Sequence, residues 1–354
     1  MTYAIIMAGG IGSRFWPLSR RNRPKQLLNI FGDRSLIQET IDRLQPLIPP
    51  TCVRIVTIEE QIPALRKELP MLQKSSFLAE PLGRNTAPCI GLAAIHLAHV
   101  SPQAVLVVLP ADHKIAREDD FRDILAMAIS RAERGEELIT IGIRPTRPET
   151  GYGYIQFKGS AQSHGIHKVK TFAEKPDRKM AEQFLHSGDF LWNAGIFIAR
   201  ADTLLEEFQK YLPDFHHDLM EYSKSIGTPH EMRARKQLYN ATKSISFDYG
   251  IMEHADKVLV IPADIGWSDV GNWNEVKRQL PVDDNGNSVF GDGMTIASSN
   301  SFVHSPEHFT AIVGLENVVV VHTPDATLVC HLDRVQEVRE IVAALDREKR
   351  INLL

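Results

Sequence analysis

The sequence predicts an α/β protein with a doubly wound, mostly parallel β-sheet and a small β-rich unit at its C-terminal end. Short apolar segments alternate with helix-like segments from the N-terminus to residue 143. The apolar segment AVLVVLP (104–110) is uninterrupted, which is typical of parallel strands that helices cover on both faces. After Pro281 the apolar steps become short and are separated by Gly, Asn, Asp and Ser, which indicates short strands with frequent turns.

The N-terminal half provides the elements of this alternation in order. TYAIIM (Thr2–Met7) predicts a buried first strand that ends at a Gly-Gly turn. Ser35 and Gln38 form a capping-box pattern and begin a helix. Thr86 is expected to cap a later helix, with Pro88 in its first turn. The other predicted elements are strands at 53–58, 104–110 and 138–143 and helices at 59–69 and 118–134.

In the second half of the sequence, strand-like and helix-like patterns alternate less regularly than in the first half. Its patterns predict strands within 150–157, 167–176, 193–199 and 257–263 and helices over 178–187, 201–239 and 335–345. The change in character near residue 284 predicts two domains, a catalytic domain over 1–283 and a small β domain with a closing helix over 284–354.

Composition excludes several classes of protein. The chain has 354 residues and a formal net charge of −4, so no global basic field indicates nucleic-acid binding. No apolar run approaches the length of a membrane span, and no signal peptide is visible. The three cysteines are far apart and predict reduced thiols in a cytoplasmic protein rather than a zinc site or a disulfide framework.

The segment MAGGIGSRFWPLSRRNRPKQ, which starts at Met7, combines a glycine turn with basic side chains and contains no acid. Glycines between a first strand and a helix let backbone N–H groups approach an anion. The segment is not a Walker A loop, because the chain has no Gly-Lys dipeptide, and Phe15 replaces the third glycine of a dinucleotide fingerprint. A polyphosphate site and a tight turn with a solvated basic rim, which would include Arg20, Arg21 and Arg23, remain the two interpretations.

This segment resembles the signature of sugar-nucleotide pyrophosphorylases, or nucleotidyltransferases, in the mannose-1-phosphate guanylyltransferase branch. Phe15 stands where that branch usually has leucine, and Ala194 stands where serine is common. Further blocks follow in family order: EPLGRNTAP (80–88), LPADH (109–113), RPTRPETGYGYI (144–155), EKPD (174–177), WNAGIF (192–197) and GWSDVGNW (266–273). The resemblance implies a Rossmann-like, GT-A-like nucleotidyltransferase fold with a short left-handed β-helix at the C-terminus.

The resemblance implies that GTP and mannose 1-phosphate give GDP-mannose and pyrophosphate. The attacking sugar phosphate is already an anion near neutral pH, so positioning and electrostatics should carry the catalysis without a general base. By family resemblance, Arg14 and Lys25 are catalytic. The nucleotide-binding residues would be Ala8, Gly9, Gly10, Gly12, Asn85 and Thr86, and the sugar-phosphate residues would be Gly153, Glu174, Lys175 and Asn193.

The resemblance also implies a Mg²⁺ cofactor with Asp112 and Asp269 as its ligands. Each aspartate has a structural alternative: Asp112 could cap a turn, and Asp269 could cap the following helix. Sister nucleotidyltransferases with another base or sugar, and a non-catalytic nucleotide-sugar-binding regulator, are the alternative functions. The tail is too short for the isomerase domain that some relatives carry, so a single activity is expected, in a homodimer.

Overall fold

A computed structural model describes residues 1–160 and 164–354 of the chain. The α-helices are α1 (Leu36–Asp42), α2 (Ile62–Glu68), α3 (Thr86–Val100), α4 (Glu118–Ala132), α5 (Arg178–Ser187), α6 (Ala201–Tyr211), α7 (Pro213–Ser223), α8 (Glu231–Ala241), α9 (Trp273–Arg278) and α10 (Val338–Arg347). The short 3-10 helices are Ser13–Phe15, Lys25–Leu27, Pro50–Cys52, Glu59–Gln61, Lys74–Ser76, Leu332–Glu337 and Ile351–Leu353, and Asp248–Met252 is a π-helical turn.

The strands alternate with these helices in the N-terminal half and follow one another closely at the C-terminal end. They are β1 (Thr2–Met7), β2 (Val53–Ile58), β3 (Phe77–Glu80), β4 (Val105–Pro110), β5 (Lys114–Ile115), β6 (Leu138–Ile143), β7 (Tyr154–Phe157), β8 (His167–Ala173), β9 (Phe190–Arg200), β10 (Val258–Ala263), β11 (Trp267–Ser268), β12 (Ser288–Ile296), β13 (Phe302–Val313), β14 (Val318–Thr323) and β15 (Ala326–His331).

The contacts divide the chain into two compact units. The first unit contains residues Met1–Gly9, Ile41–Ala111 and Ile115–Trp267. The second unit contains Gly10–Thr40, Asp112–Lys114 and Ser268–Leu354. Most of the glycine-rich segment therefore groups with the C-terminal part of the sequence, from which it is distant along the chain.

The first unit is built on a nine-stranded sheet with the order β3-β2-β1-β4-β9-β6-β10-β8-β7. β1 runs parallel to β2 and β4, β2 runs parallel to β3, and β6 runs parallel to β10. β9 lies antiparallel between β4 and β6, and β7 and β8 add antiparallel pairs at one edge. Helix α3 packs on β1 and β2, and α4 packs on β4, β6 and β10. The predicted α/β class is confirmed.

Parallel pairing places functional candidates at one edge of this sheet. β1, β2, β3 and β4 run in the same direction, so their carboxyl ends meet there. In open α/β sheets, ligands bind at the carboxyl ends of the strands. Ala8 follows β1, Glu80 ends β3, and Ala111 follows β4.

The second unit contains a β-sheet with the order β12-β13-β14-β15. β12, β13 and β14 pair in parallel, with Ser288 opposite Phe302 and Phe302 opposite Val319, whereas β15 returns antiparallel. A shared apolar cluster joins residues of this sheet to Phe15, Trp16 and Trp273. The predicted β-rich tail is confirmed, and its core includes side chains from the N-terminal glycine-rich segment.

Several predicted boundaries differ from the observed ones. The helices predicted between 201 and 239 are α6, α7 and α8, which Pro213 and the turn around Gly227 separate. The predicted closing helix begins as a 3-10 turn (Leu332–Glu337), and its α-helical part is α10. None of the helices in the described parts of the chain is long and apolar enough to cross a membrane.

Candidate active site

The backbone that leaves β1 is fixed by its neighbours in the first unit. Ala8 is buried, its N–H donates to the carbonyl of Val56 (2.8 Å), and its carbonyl accepts from the hydroxyl of Thr57 (2.9 Å). Gly9 follows as an exposed residue. The chain is therefore anchored up to Ala8, and its polar backbone becomes accessible at Gly9.

The next part of the glycine segment, in the second unit, packs directly on Lys25. Gly12 has a left-handed φ of 74°, and a Cβ there would lie 2.3 Å from Cβ of Lys25. The carbonyl of Gly12 accepts from the Ser19 hydroxyl (2.8 Å), and the N–H of Lys25 donates to the carbonyl of Ile11 (3.1 Å). Glycine is required at position 12 because any side chain would displace the lysine stem.

A cavity of about 460 Å³ in the second unit brings together the predicted phosphate and metal residues. Its lining residues are Gly12, Ser13, Arg14, Phe15, Lys25, Asp112, His113, Asp269, Gly271 and Arg339. These residues come from distant parts of the sequence, and the fold brings them to one cavity. Both predicted catalytic cations and both predicted metal ligands thus share a single site.

Lys25 is a buried residue in the lining of this cavity. The residue is 6% exposed, and its ammonium group donates to Oδ2 of Asp112 and to the main-chain carbonyl of Asp269, both at 2.8 Å. The Lys25 ammonium also lies 5.3 Å from the ring centre of Phe15, which packs on Trp273. Phe15 is 1% exposed, so the position where the family usually has leucine is indeed a packing position.

The two aspartates have different surroundings. Burial raises the pKa of Asp112, but the charges of Lys25 and His113 outweigh it, so that this pKa is lowered and the carboxylate stays ionised. Oδ1 of Asp269 accepts from the N–H of Gly271 (3.1 Å). Helix α9 is capped by Asn272, whose side chain accepts from the N–H groups of Asn274 and Glu275. The alternative of Asp269 as the helix cap is therefore excluded.

The donor set of this cavity fits a divalent cation. Two carboxylates face one polar cavity, and Mg²⁺ sites in phosphate-transfer enzymes typically combine one or two carboxylates with water and phosphate oxygens. In residues 1–160 and 164–354, no group of three or more His, Cys, Asp or Glu side chains could hold a metal ion. A site with two protein carboxylates is therefore the arrangement to test.

The basic side chains that follow Gly12 have separate environments. Arg20 donates to Asp325 (3.0 Å), and Arg21 forms an ion pair with Asp346 of α10. Arg14 lines the cavity and has no ion pair or hydrogen bond with any residue the structure describes. Arg20 and Arg21 thus fasten the segment to the C-terminal part of the second unit, while Arg14 is available to a ligand.

The predicted sugar-phosphate residues converge in the first unit. A Cβ on Gly153 would lie 2.5 Å from Oε2 of Glu174, so glycine is required for the carboxylate to take this position. The N–H of Asn193 donates to the carbonyl of Gly153 (2.8 Å). Lys175 forms an ion pair with Glu174 and has a left-handed φ of 47°. The structure therefore brings these four predicted residues together.

Asp248 belongs to this group and was not predicted. Its Oδ1 accepts from the side-chain amide of Asn193 (2.6 Å), and the Oδ1 of that amide accepts from the N–H of Gly195 (3.0 Å). Burial and the nearby charge of Glu174 raise the pKa of Asp248 to about 6. Asp248 lies in the π-helical turn Asp248–Met252, a type of distortion that is frequent at functional sites, but its sequence, FDYGIM, carries no recognisable motif.

The predicted nucleotide residues at the start of α3 lie next to this turn. The helix is capped by Asn85, whose side chain accepts from the N–H of Thr86 (2.9 Å), so the prediction of Thr86 as the cap was wrong. Asn85 takes the cap because its side-chain oxygen reaches the first free N–H of the helix from a backbone with a positive φ of 68°. The Thr86 hydroxyl instead accepts from the N–H of Phe247 (2.8 Å).

Glu80 is the second residue without a predicted role, although it begins the block EPLGRNTAP. It is 3% exposed at the end of β3, its Oε1 accepts from the Tyr239 hydroxyl (3.0 Å), and its Oε2 lies 3.5 Å from the point where a Cβ would stand on Gly9. Burial raises the pKa of Glu80 to about 7, and the hydrogen bond from Tyr239 opposes that rise. Because groups with strongly shifted pKa values cluster at functional sites, Glu80 is a candidate site residue.

Together, the mixed sheet, the glycine segment and the cavity around Lys25 define a nucleotidyltransferase with a β-helix-like C-terminal domain. The chain belongs to the nucleotidyl transferase family, whose model matches residues 3–280. A second model, described as the mannose-phosphate isomerase/GMP-like β-helix domain, matches residues 291–345. The predicted β-helix-like tail is therefore confirmed.

Individual relatives point to one branch of this family. The chain is 39% identical over 362 residues to a mannose-1-phosphate guanylyltransferase from Klebsiella pneumoniae, which covers 99% of this chain and 75% of that protein. It is 37% identical to the alginate biosynthesis protein AlgA from Pseudomonas putida, over 99% of this chain and 73% of the relative. A solved structure described as mannose-1-phosphate geranyltransferase from Thermus thermophilus matches with a TM-score of 0.88 and 34% identity, over 98% of this chain and 99% of that one.

Proposed function

We propose that this chain transfers the GMP moiety of GTP to mannose 1-phosphate, with GDP-mannose and pyrophosphate as products. The observation that carries the proposal is the cavity in which Gly12, Arg14 and Lys25 meet the carboxylates of Asp112 and Asp269. The guanylyltransferase name of a relative with 39% identity supports the choice of substrates.

The reaction needs charge compensation more than proton transfer. A phosphate oxygen of the sugar phosphate forms a bond to the α-phosphorus of GTP, and the bond from that phosphorus to the bridging oxygen breaks as pyrophosphate leaves. The attacking oxygen is already ionised near neutral pH, so no base is required. In this proposal Lys25 and Arg14 stabilise the charge that develops on the α-phosphate and the leaving group.

The first unit supplies groups for the sugar and for the nucleoside. Glu174 accepts hydrogen bonds from sugar hydroxyls, and Lys175 compensates the negative charge of the sugar phosphate. Asn193 is held by Asp248, so that its side-chain amide has one orientation. The backbone at Ala8 and Gly9 contacts the nucleotide phosphates, as does that of Gly10, which belongs to the second unit. Asn85 and Thr86 contact the ribose or the base. These roles stay proposals.

Glu80 is the proposed reader of guanine. A carboxylate can accept the two adjacent N–H donors of the guanine edge, whereas adenine lacks that pair of donors. Its burial makes the interaction selective, because an incorrect base would leave Oε2 of this buried carboxylate without a donor. Tyr239 holds the carboxylate in place through its hydroxyl.

Members of this family generally use a divalent metal, and we propose Mg²⁺ held by Asp112 and Asp269. When bound, Mg²⁺ would neutralise phosphate charge. Asp112→Asn is expected to abolish most activity and to raise the Mg²⁺ concentration needed for half-maximal Mg²⁺ binding, as measured by titration. An unchanged titration would remove Asp112 from the proposed ligand set.

The experiment that tests the proposed function is an incubation of the purified chain with GTP, mannose 1-phosphate and Mg²⁺. Pyrophosphate release, with GDP-mannose identified by mass, is the expected result. Tight GDP-mannose binding without turnover would instead favour the non-catalytic regulator. The division into domains 1–283 and 284–354, the homodimer, the left-handed sense of the β-helix and the cytoplasmic location stay predictions.

A further inference from the structure

The cavity around Lys25 contains one cation that the glycine segment does not supply. Arg339 lines the same cavity as Gly12, Arg14 and Lys25, and it belongs to the first turn of α10, near the end of the chain. We propose that Arg339 binds the pyrophosphate group of the nucleoside triphosphate and of the released product. This inference rests on the proposed function for its substrate, and it assigns a phosphate-binding residue to the C-terminal helix.

The position of Arg339 relative to the glycine segment is fixed by contacts within the second unit. Helix α10 packs on the 3-10 turn Ser13–Phe15, which contains Arg14. The indole N–H of Trp16 donates to the carbonyl of Leu353 (2.9 Å), and Arg21 pairs with Asp346 of α10. Because these contacts hold the two segments together, Arg339 is a built part of the cavity.

Of the three lysine and arginine side chains that line the cavity, one is paired within the protein and two can pair with a ligand. The Lys25 ammonium already donates to Asp112 and to the carbonyl of Asp269. The side chains of Arg14 and Arg339, in contrast, have no ion pair or hydrogen bond with any residue in 1–160 or 164–354. Two exposed guanidinium groups beside one glycine segment match a ligand with several negative charges.

Pyrophosphate fits this pair better than a sugar phosphate. It has two phosphate groups that can each accept two hydrogen bonds from a guanidinium fork, whereas a sugar phosphate offers one such group. Arg339 is therefore expected to strengthen binding of the triphosphate tail and to affect the release of pyrophosphate.

The test is the affinity of the full-length chain for inorganic pyrophosphate in the presence of Mg²⁺, measured by titration calorimetry. Arg339→Ala is expected to raise the Kd for pyrophosphate about 10-fold or more, and Arg339→Lys is expected to raise it less because it keeps the charge. The Kd for mannose 1-phosphate should stay within about twofold of that of the unmodified chain. Arg347→Ala is the matched control, because Arg347 is an exposed arginine on the same helix that does not line the cavity.

Three results would overturn the inference: no measurable binding of pyrophosphate to the unmodified chain, an equal loss in Arg339→Ala and Arg347→Ala, or an equal loss of affinity for mannose 1-phosphate. The proposed function is read separately, from turnover of GTP and mannose 1-phosphate by the unmodified chain. Since pyrophosphate binding requires no turnover, a failure of one proposal is distinguishable from a failure of the other.

Discussion

Lys25 is a buried cation whose ammonium group has fixed partners, Asp112 and the carbonyl of Asp269. Such a preorganised charge can stabilise a transition state without reorganisation. Lys25→Ala is expected to lower kcat about 10²-fold or more. Steady-state kinetics provide the measurement, and Lys67→Ala, which removes an exposed lysine from α2, serves as the control. A near-normal kcat in Lys25→Ala would show that this lysine does not contact the reacting phosphate.

Glu80 links the pH dependence of binding to the recognition of guanine. Its pKa of about 7 means that the carboxylate becomes protonated as the pH falls below 7, and a protonated carboxyl loses one acceptor for guanine. The KM for GTP is therefore expected to rise as the pH falls from about 8 to about 6. In Glu80→Gln this rise should disappear, and the preference for GTP over ATP should fall. An unchanged nucleotide preference in the variant would refute the role of Glu80.

The buried carboxylate of Glu80 also destabilises the fold when it is ionised. The pKa of Glu80 is raised above its ordinary value of 4.5, so ionisation of Glu80 destabilises the fold as the pH rises from 4.5 through 7. Glu80→Gln keeps the hydrogen bond from Tyr239 and removes the buried charge. We expect the variant to have a higher free energy of unfolding than the unmodified chain at about pH 8, by denaturant titration. A lower free energy would mean that the carboxylate stabilises the fold.

At the scale of secondary structure, the last residues of the chain hold the glycine segment. Trp16 is buried, and its indole N–H donates to the carbonyl of Leu353 in the C-terminal 3-10 turn. Trp16→Phe leaves that carbonyl without its partner, at a cost of about 1–3 kcal/mol. Denaturant titration is expected to show this loss in the free energy of unfolding. A loss below about 0.5 kcal/mol, the range of ordinary surface substitutions, would show that the contact contributes little.

The inner strands of the C-terminal sheet contain a buried neutral histidine. His304 of β13 is 2% exposed, stacks on Phe290 of β12 with 4.8 Å between ring centres, and neither ring nitrogen has a partner among the described residues. Burial lowers the pKa of His304 from 6.5 to about 4. Because the unfolded chain binds the proton more readily, stability is full above pH 6.5 and falls as the pH decreases through 4.

The variant His304→Phe tests this loss of stability at low pH. Between about pH 7.5 and pH 5, the free energy of unfolding of the unmodified chain should fall by about 2 kcal/mol relative to that of His304→Phe, the contribution of a single histidine of this kind. The difference between the two proteins isolates His304, because His96, Glu80 and Asp248 also have shifted pKa values and are present in both. Urea titrations of both proteins at the two pH values measure this difference, and an identical change in both proteins would contradict the role of His304.

Long elements were predictable and short ones were not. Strands such as β1 and β4 and helices such as α3 carry apolar patterns that the sequence displays directly. β3 has four residues and α9 has six, so neither shows a full pattern. This limit had a functional consequence: Glu80 ends β3, and without that strand nothing in the sequence indicated that its carboxylate would be buried.

At the scale of the whole molecule, the sequence predicted a set of candidate site residues but not how the fold would bring them together. The motif blocks named Lys25, Asp112 and Asp269, and the fold brings all three to one cavity. Arg339 could not be found in this way, because it is one arginine in an amphipathic helix at the opposite end of the sequence from the glycine segment. Only tertiary packing of α10 on the turn Ser13–Phe15 reveals its position.

The central claim is guanylyl transfer to mannose 1-phosphate, and one comparison of kcat/KM tests it most directly. The purified chain is assayed for pyrophosphate release with GTP, ATP, UTP and dTTP, each with mannose 1-phosphate and with glucose 1-phosphate. We predict that GTP with mannose 1-phosphate gives the highest kcat/KM, by about 10²-fold or more over the other nucleotides. A higher kcat/KM for UTP or dTTP with glucose 1-phosphate would contradict the account and assign the chain to a sister specificity.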